Sequence, residues 1–299
     1  MIEITNDLKD RIVEEMLSKR DNYTGTDAAY ATSLGINKTV YSTLKSGKRE
    51  GLLPAAKWLN LARQLDIPLS DRKWNIARTA VFNRIEEDIL FCKEYSKSMI
   101  FVDDCGIGKT FTGKYMARKL ENCFYIDGSQ CKTSRALTRA LAKVLGVDST
   151  GKLDAMKADI KYCLGYLGKP IIIIDEAGDL NQDAWLDLKE YWNAADGFCG
   201  WYFMGAQGLR ARINRGRRNK RVGFAEMFSR LSENYGTIVP GDKHEKIEFY
   251  RKLITDVLSV NMSDPTQLDP ILKRCLTVDK ETGHIGGLRR AESLLILNS

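Results

Sequence analysis

The spacing of apolar residues along the chain changes near residue 80. Before that point, apolar residues recur every three or four positions, as at 8–18, which predicts amphipathic helices. Beyond it, short apolar runs alternate with helical patterns. These runs lie at 99–102, 122–126, 170–174 and 200–207. The sequence therefore predicts an all-α domain followed by an α/β domain.

The apolar run at 171–174 consists of four isoleucines. Such a run predicts a strand buried on both faces, which is typical of a parallel sheet with helices on both faces. Helices are predicted at 55–65, 81–95, 111–120, 134–145, 153–164, 182–194, 244–259, 268–275 and 288–297. The predicted segments are a helical domain at 1–68, a polar linker at 69–79, an α/β domain at 80–240 and a helical domain at 241–299.

Residues 28–49 combine two short helical patterns with a turn that contains Gly35. This layout predicts a helix-turn-helix, in which the second helix enters the major groove of DNA. Val40 and Leu44 are expected to face the core, while polar and basic side chains contact DNA. These are Lys38, Thr39, Ser42, Thr43, Lys45, Lys48 and Arg49. The segment resembles the helix-turn-helix domains of phage repressors; a small helical bundle that binds protein is the alternative.

A glycine-bearing turn follows the apolar run 99–102 and ends in Gly-Lys-Thr at 108–110. Such a loop binds phosphates through backbone N–H groups, while its lysine reaches the β/γ-phosphates and its hydroxyl ligates Mg²⁺. The next helix adds its positive N-terminal end. The predicted nucleotide-binding residues are Cys105, Gly106, Ile107, Gly108, Lys109, Thr110 and Phe111. Asp103 replaces the first glycine of the usual pattern, and its carboxylate is tolerated there only if it points away from the phosphates.

Polar residues follow two of the predicted strands. Asp175 and Glu176 end the isoleucine strand, where an aspartate can complete the Mg²⁺ shell and the glutamate can activate a water. Thr110 and Asp175 are therefore the predicted metal ligands. Gln207 ends the run at 200–207 and is the candidate for contact with the γ-phosphate or the attacking water.

The chain carries a net charge of +7, and much of the excess lies in one segment without an acidic residue. Its basic residues are Arg210, Arg212, Arg215, Arg217, Arg218, Lys220 and Arg221. Charge runs are usually solvated surfaces. The density of this one favours contact with the phosphate backbone of double-stranded DNA, which would make binding steeply salt-dependent.

The cysteine content and hydropathy exclude several classes of protein. Seven dispersed cysteines and only two histidines suggest neither a disulfide framework nor a zinc site. No stretch approaches the roughly 18 apolar residues that a membrane span requires. The N-terminus lacks the basic and then apolar layout of a signal peptide, which predicts a cytoplasmic protein without a membrane partner.

Over residues 76–299 the order of these motifs resembles the AAA+ ATPases, a group of P-loop NTPases. The resemblance implies ATP and Mg²⁺ as cofactors and a helical lid after the sheet. It also implies that Lys109 binds phosphate, that Asp175 and Glu176 support hydrolysis, and that Arg289 closes on the γ-phosphate. Arg230 would reach the nucleotide of a neighbouring subunit. Arg221, Arg251 and Arg290 are alternatives for the two arginine roles.

A helix-turn-helix joined to a compact ATPase resembles the helper ATPases of DNA transposition of the phage Mu B type. That resemblance implies a bacterial or phage protein that oligomerises with ATP as a ring or filament on double-stranded DNA. It would deliver target DNA and stimulate a transposase. The alternatives are a transcriptional regulator with an ATP-controlled switch, and a nucleotide-binding scaffold with weak hydrolysis, which Asp103 would explain.

Overall fold

A computed structural model describes residues 4–21, 23, 25–65, 67, 74–277 and 285–297. The chain divides into two compact units, Met1–Lys73 with Arg139–Cys163, and Trp74–Thr138 with Leu164–Ser299. Of the predicted linker at 69–79, residues 69–73 lie outside the described ranges, and 74–79 are neither helix nor strand. None of the helices in the described ranges combines the length and the apolar content needed to cross a membrane.

The first unit contains four N-terminal helices, which pack around one apolar core. They are α1 (Asn6–Asp21), α2 (Asp27–Ser33), α3 (Lys38–Lys45) and α4 (Ala55–Leu65). Side chains from all four helices bury their apolar faces together, with Met16, Tyr30, Leu44 and Trp58 each at most 4% exposed. This burial supplies the stability that such short helices lack on their own.

A short turn joins α2 to α3, and the sequence explains both of its ends. Gly35 has φ = 71°, a left-handed conformation that glycine adopts without steric cost. Asn37 then caps α3 by accepting a hydrogen bond from the Val40 N–H at 2.8 Å. The predicted pair of short helices is therefore present, whereas its interpretation as a DNA-binding helix-turn-helix stays a prediction.

The buried face of α3 differs slightly from the predicted one. Leu44 is fully buried as expected, and Val40 is half-buried against the same core. Tyr41, which the periodicity did not single out, is buried at 1% exposure and lies edge-on to Tyr30. The core therefore uses an aromatic ring of α3 where a smaller side chain was expected.

The second unit is built on a four-stranded parallel sheet with the strand order β1-β4-β3-β2. The strands are β1 (Ser98–Val102), β2 (Cys123–Asp127), β3 (Ile171–Asp175) and β4 (Gly200–Gly205). All five residues of β3 are buried, because the strand is internal and both faces of the sheet are covered. The predicted parallel α/β fold is confirmed.

Helices cover both faces of this sheet and alternate residues of each strand face them. The helices of this unit between and after the strands are α5 (Ala80–Tyr95), α6 (Lys109–Lys119), α9 (Gln182–Ala194), α10 (Gln207–Arg218) and α11 (Phe224–Arg230). The boundaries between the two units fall within α7 (Ser134–Leu145) and α8 (Leu153–Tyr166). Ile171 and Ile173 share a core cluster with residues of α5 and α6. On the opposite face, Phe203 stacks on Trp185 and Trp192 of α9.

The end of the second unit contains three helices that share their own apolar core, and the three together are called here the lid. Its helices are α12 (Lys243–Asn261), α13 (Leu268–Cys275) and α14 (Leu288–Leu297). Ile254, Ile271 and Ala291 represent the three helices in that core, and each is at most 1% exposed. The lid is thus a packed body that can present α12 and α14 to the sheet.

Candidate functional site

The loop between β1 and α6 has the backbone of a phosphate-binding loop. Gly106 and Gly108 have φ values of 72° and 102°, which residues with a Cβ rarely adopt. α6 begins at Lys109, so its unpaired N–H groups face the loop. This helix terminus and the loop amides form a concave anion site.

Lys109 is folded back onto this loop. Its ammonium group donates to the backbone carbonyls of Asp103 at 3.0 Å and Asp104 at 2.5 Å, and the residue is 7% exposed. Burial lowers the pKa of Lys109, and the charges of Asp175 and Glu176 are among those that oppose the shift. A buried cation held only by carbonyl dipoles is well placed to gain from an anionic ligand.

Thr110 and Asp175 meet at the carboxyl edge of the sheet. The Thr110 hydroxyl donates to Asp175 Oδ2 at 2.6 Å, and the Tyr125 hydroxyl donates to the same oxygen at 2.9 Å. Asp175 is 1% exposed. Among the described residues no group of three or more His, Cys, Asp or Glu side chains could hold a metal ion. A hydroxyl and a carboxylate side by side still fit Mg²⁺, which takes few protein ligands and completes its shell with phosphates and water.

Glu176 follows β3 in an unusual backbone conformation. Its φ of 47° is left-handed, which costs a non-glycine residue about 1 kcal/mol or more. Burial raises the pKa of its carboxyl, and the neighbouring charge of Asp175 raises it further. The side chain lines the same cavity as the phosphate loop. Glu176 is therefore oriented toward the position where a nucleotide would bind.

Asp103 has a structural role that the sequence pattern did not reveal. The residue is 2% exposed, and its Oδ2 accepts hydrogen bonds from Thr237 Oγ1 at 2.9 Å, Ile238 N at 2.6 Å and Val239 N at 3.0 Å. Its Oδ1 accepts from Asp104 N at 2.8 Å. The carboxylate thus ties the end of β1 to residues 237–239, and the hydrogen bonds from these donors stabilise its negative charge.

We expect Asp103→Gly to lower the free energy of unfolding by about 2–3 kcal/mol, because it leaves two partly buried backbone N–H groups without their acceptor. Chemical denaturation monitored by tryptophan fluorescence measures this change. The free energy of unfolding of Asp103→Asn should lie between those of the parent protein and Asp103→Gly, since an amide keeps one acceptor oxygen. Asp196→Gly is the control, because that exposed side chain makes only a 3.6 Å ion pair with Arg230. An Asp103→Gly protein as stable as the control would contradict this role.

The neighbouring aspartate connects the loop to the lid. Asp104 accepts from Lys246 Nζ at 2.6 Å and from the Tyr250 hydroxyl at 3.0 Å, and both partners lie on α12. Burial alone would raise the pKa of Asp104, but these hydrogen bonds hold it below its usual value. The N–H of Leu288, the first residue of α14, donates to the Gly106 carbonyl at 2.8 Å. The phosphate loop is therefore attached to two lid helices.

A cavity of about 440 Å³ lies over the loop. Its lining includes the loop residues, Glu176, Arg289 of the lid and residues 74–82. Trp74 Nε1 donates to Glu292 Oε1 at 3.2 Å, so the segment before α5 is held against α14 at the cavity. The volume and the mixture of apolar and polar lining suit a nucleotide. Arg289 is thus brought to the predicted site.

Two other predicted residues lie elsewhere. Gln207 is the exposed first residue of α10 and is not part of the cavity lining. Arg230 ends α11, where Nη2 donates to Asn193 Oδ1 at 2.6 Å and the guanidinium lies 5.7 Å from the centroid of the Trp192 ring. A role in the site of a neighbouring subunit stays a prediction for Arg230.

The predicted basic DNA-binding segment forms most of α10 and the turn after it. Arg210 stacks over Tyr235, Arg217 stacks over Phe228, and Arg212 donates to the Gly178 carbonyl. The other four cations are exposed, and none makes an ion pair with a carboxylate in the described part of the chain. They are Arg215, Arg218, Lys220 and Arg221, called here the α10 cation group.

The predicted DNA-contacting residues of the first unit also include both exposed side chains and side chains that bond within the fold. Exposed side chains occur at Lys38, Thr39, Ser42, Lys45 and Lys48. Thr43 is half-buried and donates to the Thr39 carbonyl at 2.9 Å. Arg49 donates to the Leu44 carbonyl at 2.7 Å and pairs with Asp10 at 2.9 Å, so it fastens the end of α3.

Sequence reasoning missed several residues of the site. Tyr125 lies in the middle of β2, and no local signal marks it as a partner of Asp175. Trp74 was assigned to the linker, although a tryptophan in a polar segment is a sign of packing. Leu288 and Glu292 reach the cavity only because the lid packs over the loop.

The parallel sheet, the glycine-bearing loop and the acidic end of β3 define a P-loop nucleotide-binding domain. Residues 93–213 match the family model described as AAA domain, so the chain contains an AAA-type P-loop ATPase domain. No curated protein matches the sequence.

The solved structures that match this chain include an ORC1 protein and NtrX. The Aeropyrum pernix ORC1 protein in complex with DNA has a TM-score of 0.52 at 16% identity, over 75% of this chain and 59% of that chain. NtrX from Brucella abortus in complex with ATP has a TM-score of 0.37 at 15% identity, over 87% of this chain and 64% of that chain. The likeness to ORC1 shows a shared AAA+ fold. The chain matches less than two thirds of the length of either protein.

Proposed function

We propose that this protein binds and hydrolyses ATP with Mg²⁺. The observation that carries the proposal is the Thr110–Asp175 hydrogen bond of 2.6 Å, beside Lys109 and Glu176 in one cavity. Lys109 holds the β/γ-phosphates, and Glu176 orients a water and accepts its proton. Bound Mg²⁺ would neutralise charge on the phosphates, and Thr110 and Asp175 would hold it.

The same proposal includes binding to double-stranded DNA. The α10 cation group supports it, because four cations without carboxylate partners are suited to a phosphate backbone. The exposed basic and hydroxyl side chains of α3 provide a second candidate surface. ORC1, whose fold this chain shares, was solved in complex with DNA.

We extend the proposal to assembly of several copies on DNA and to delivery of target DNA to a transposase. This extension rests on the resemblance to transposition helper ATPases and on the order of elements, with a helical pair before an AAA-type domain. Gel shifts with long duplexes test it, and binding is expected to require ATP and to tolerate changes of sequence. Electron micrographs of the same mixtures should show a ring or filament.

Replacement of two members of the α10 cation group, Arg215→Gln with Arg218→Gln, should weaken DNA binding by about tenfold or more at moderate salt. It should also reduce the slope of log affinity against log salt by about 1.8, since two phosphate contacts are lost. Fluorescence anisotropy over a series of salt concentrations measures both quantities.

The matched control is Lys169→Gln with Lys252→Gln, which removes two exposed charges that already have the carboxylate partners Glu94 and Asp256. Equal effects of the two double variants would show that only net charge matters, and the DNA surface would then be misplaced. Binding that does not depend on ATP, with a preference for one sequence among random duplexes, would favour the transcriptional regulator.

A further inference from the structure

Arg212 differs from the rest of the basic segment, because it is half-buried without a carboxylate partner in the described residues. Its Nη1 donates to the Gly178 carbonyl at 3.0 Å, and its Nε is buried with no hydrogen-bond partner in the same part of the chain. Burial lowers the pKa of Arg212, and the nearby charge of Arg221 lowers it further. A half-buried cation without a carboxylate partner still loses part of its hydration, so its contact with Gly178 requires an explanation.

The Gly178 carbonyl belongs to the turn that carries Glu176. Residues Ala177–Asp179 form a short 3₁₀ turn directly after Glu176, and the Asp179 N–H donates to the Glu176 carbonyl at 3.0 Å. A Cβ at Gly178 would lie 3.2 Å from both the backbone N and the Cα of Leu209. The first turn of α10 therefore packs closely against the turn Ala177–Asp179, and a shift of α10 must move that turn.

The other end of α10 carries the candidate phosphate ligands. Arg215 and Arg218 lie one and two turns beyond Arg212, and Arg221 follows in the turn after the helix. From Leu209 to Arg218 the helix is about 14 Å long, and a helix of that length is stiff. Phosphates bound at its far end would also neutralise Arg221, whose charge repels Arg212.

We propose that Arg212 is a positioning residue that links polyanion binding on α10 to Glu176, so that DNA stimulates ATP hydrolysis. The link rests on the proposed function. Phosphate bound to the α10 cation group removes the repulsion on Arg212 and strengthens its hydrogen bond to Gly178. The turn then holds the strained backbone of Glu176, and with it the carboxylate, in the orientation that activates water.

Steady-state ATP hydrolysis measured against the concentration of duplex DNA tests this link. Arg212→Gln should keep the half-saturating DNA concentration within about twofold, but should lose most of the maximal stimulation. Arg212→Lys should recover part of the stimulation, because an ammonium group can still donate to the Gly178 carbonyl. The Arg215→Gln, Arg218→Gln variant should behave in the opposite way. Its half-saturating DNA concentration should rise about tenfold, while its maximal stimulation should equal that of the parent protein.

Two results with Arg212→Gln would overturn the inference. A raised DNA requirement with an unchanged maximum would make Arg212 a phosphate ligand. If the rates of ATP hydrolysis without and with DNA fall by the same factor, and the melting temperature is also lower, the role of Arg212 is structural. A parent protein that binds DNA with ATP but is not stimulated by it would also refute the link, yet leave the proposed function intact. Absence of DNA binding by the parent would instead refute the DNA part of the proposed function, and the link with it.

Discussion

Lys109→Ala is expected to weaken ATP binding by at least about 100-fold, because it removes the buried cation that we propose contacts the β/γ-phosphates. The remaining loop amides and the N-terminus of α6 cannot replace a full charge at that position. Isothermal titration with ATP and Mg²⁺ measures the loss. Trp74, which lines the cavity, offers an independent fluorescence signal.

Lys119→Ala is the matched control, since this exposed lysine ends the same helix and pairs with Glu86 at 3.5 Å. Thermal melting separates a loss of binding from a loss of folding, because Lys109 also donates to two loop carbonyls. If Lys109→Ala binds ATP as the parent protein does, the loop is not a phosphate site and the proposed function fails.

Glu176→Gln should reduce kcat for ATP hydrolysis by about 10²–10⁴-fold while ATP binding is retained, because glutamine can occupy the same space but cannot accept the proton of the attacking water. Phosphate release measures kcat, and titration measures affinity. Asp183→Asn, an exposed carboxylate in the first turn of α9, is the control and should hydrolyse ATP like the parent.

The pH dependence of hydrolysis provides a second test of Glu176. Burial raises the pKa of the Glu176 carboxyl, and a general base acts only when it is deprotonated. Activity should therefore fall as the pH decreases through this raised pKa, at a higher pH than an ordinary glutamate with a pKa of about 4.3 would allow. Equal and negligible rates for parent and Glu176→Gln would instead identify a nucleotide-binding scaffold.

Local patterns predicted most of the secondary structure. The helices predicted at 134–145, 182–194, 268–275 and 288–297 have the same bounds in α7, α9, α13 and α14. Their apolar periodicity reports burial of one helix face, which is a property of short sequence windows. The isoleucine strand is equally recognisable from sequence, because a strand buried on both faces is a continuous apolar run without alternating polar residues.

The lining of the cavity was less accessible to sequence reasoning. Trp74 and Glu292 are 218 positions apart, and their hydrogen bond exists because the lid packs against the segment before α5. Tyr125 meets Asp175 through the register of β2 with β3. Contacts of this kind depend on topology, and no short window of sequence contains both partners.

Asp103 and Arg212 show the division between sequence and tertiary structure most clearly. The sequence by itself determined the parallel sheet, the Gly-Lys-Thr loop and the acidic strand end, because each follows from residue types within a few positions. Only the tertiary structure decided that the Asp103 carboxylate binds the backbone at 238–239 and that Arg212 reaches the Gly178 carbonyl. The physical reason is that the partners of a buried charge are chosen by the packing of distant segments, since such a charge needs donors or acceptors wherever the fold can place them.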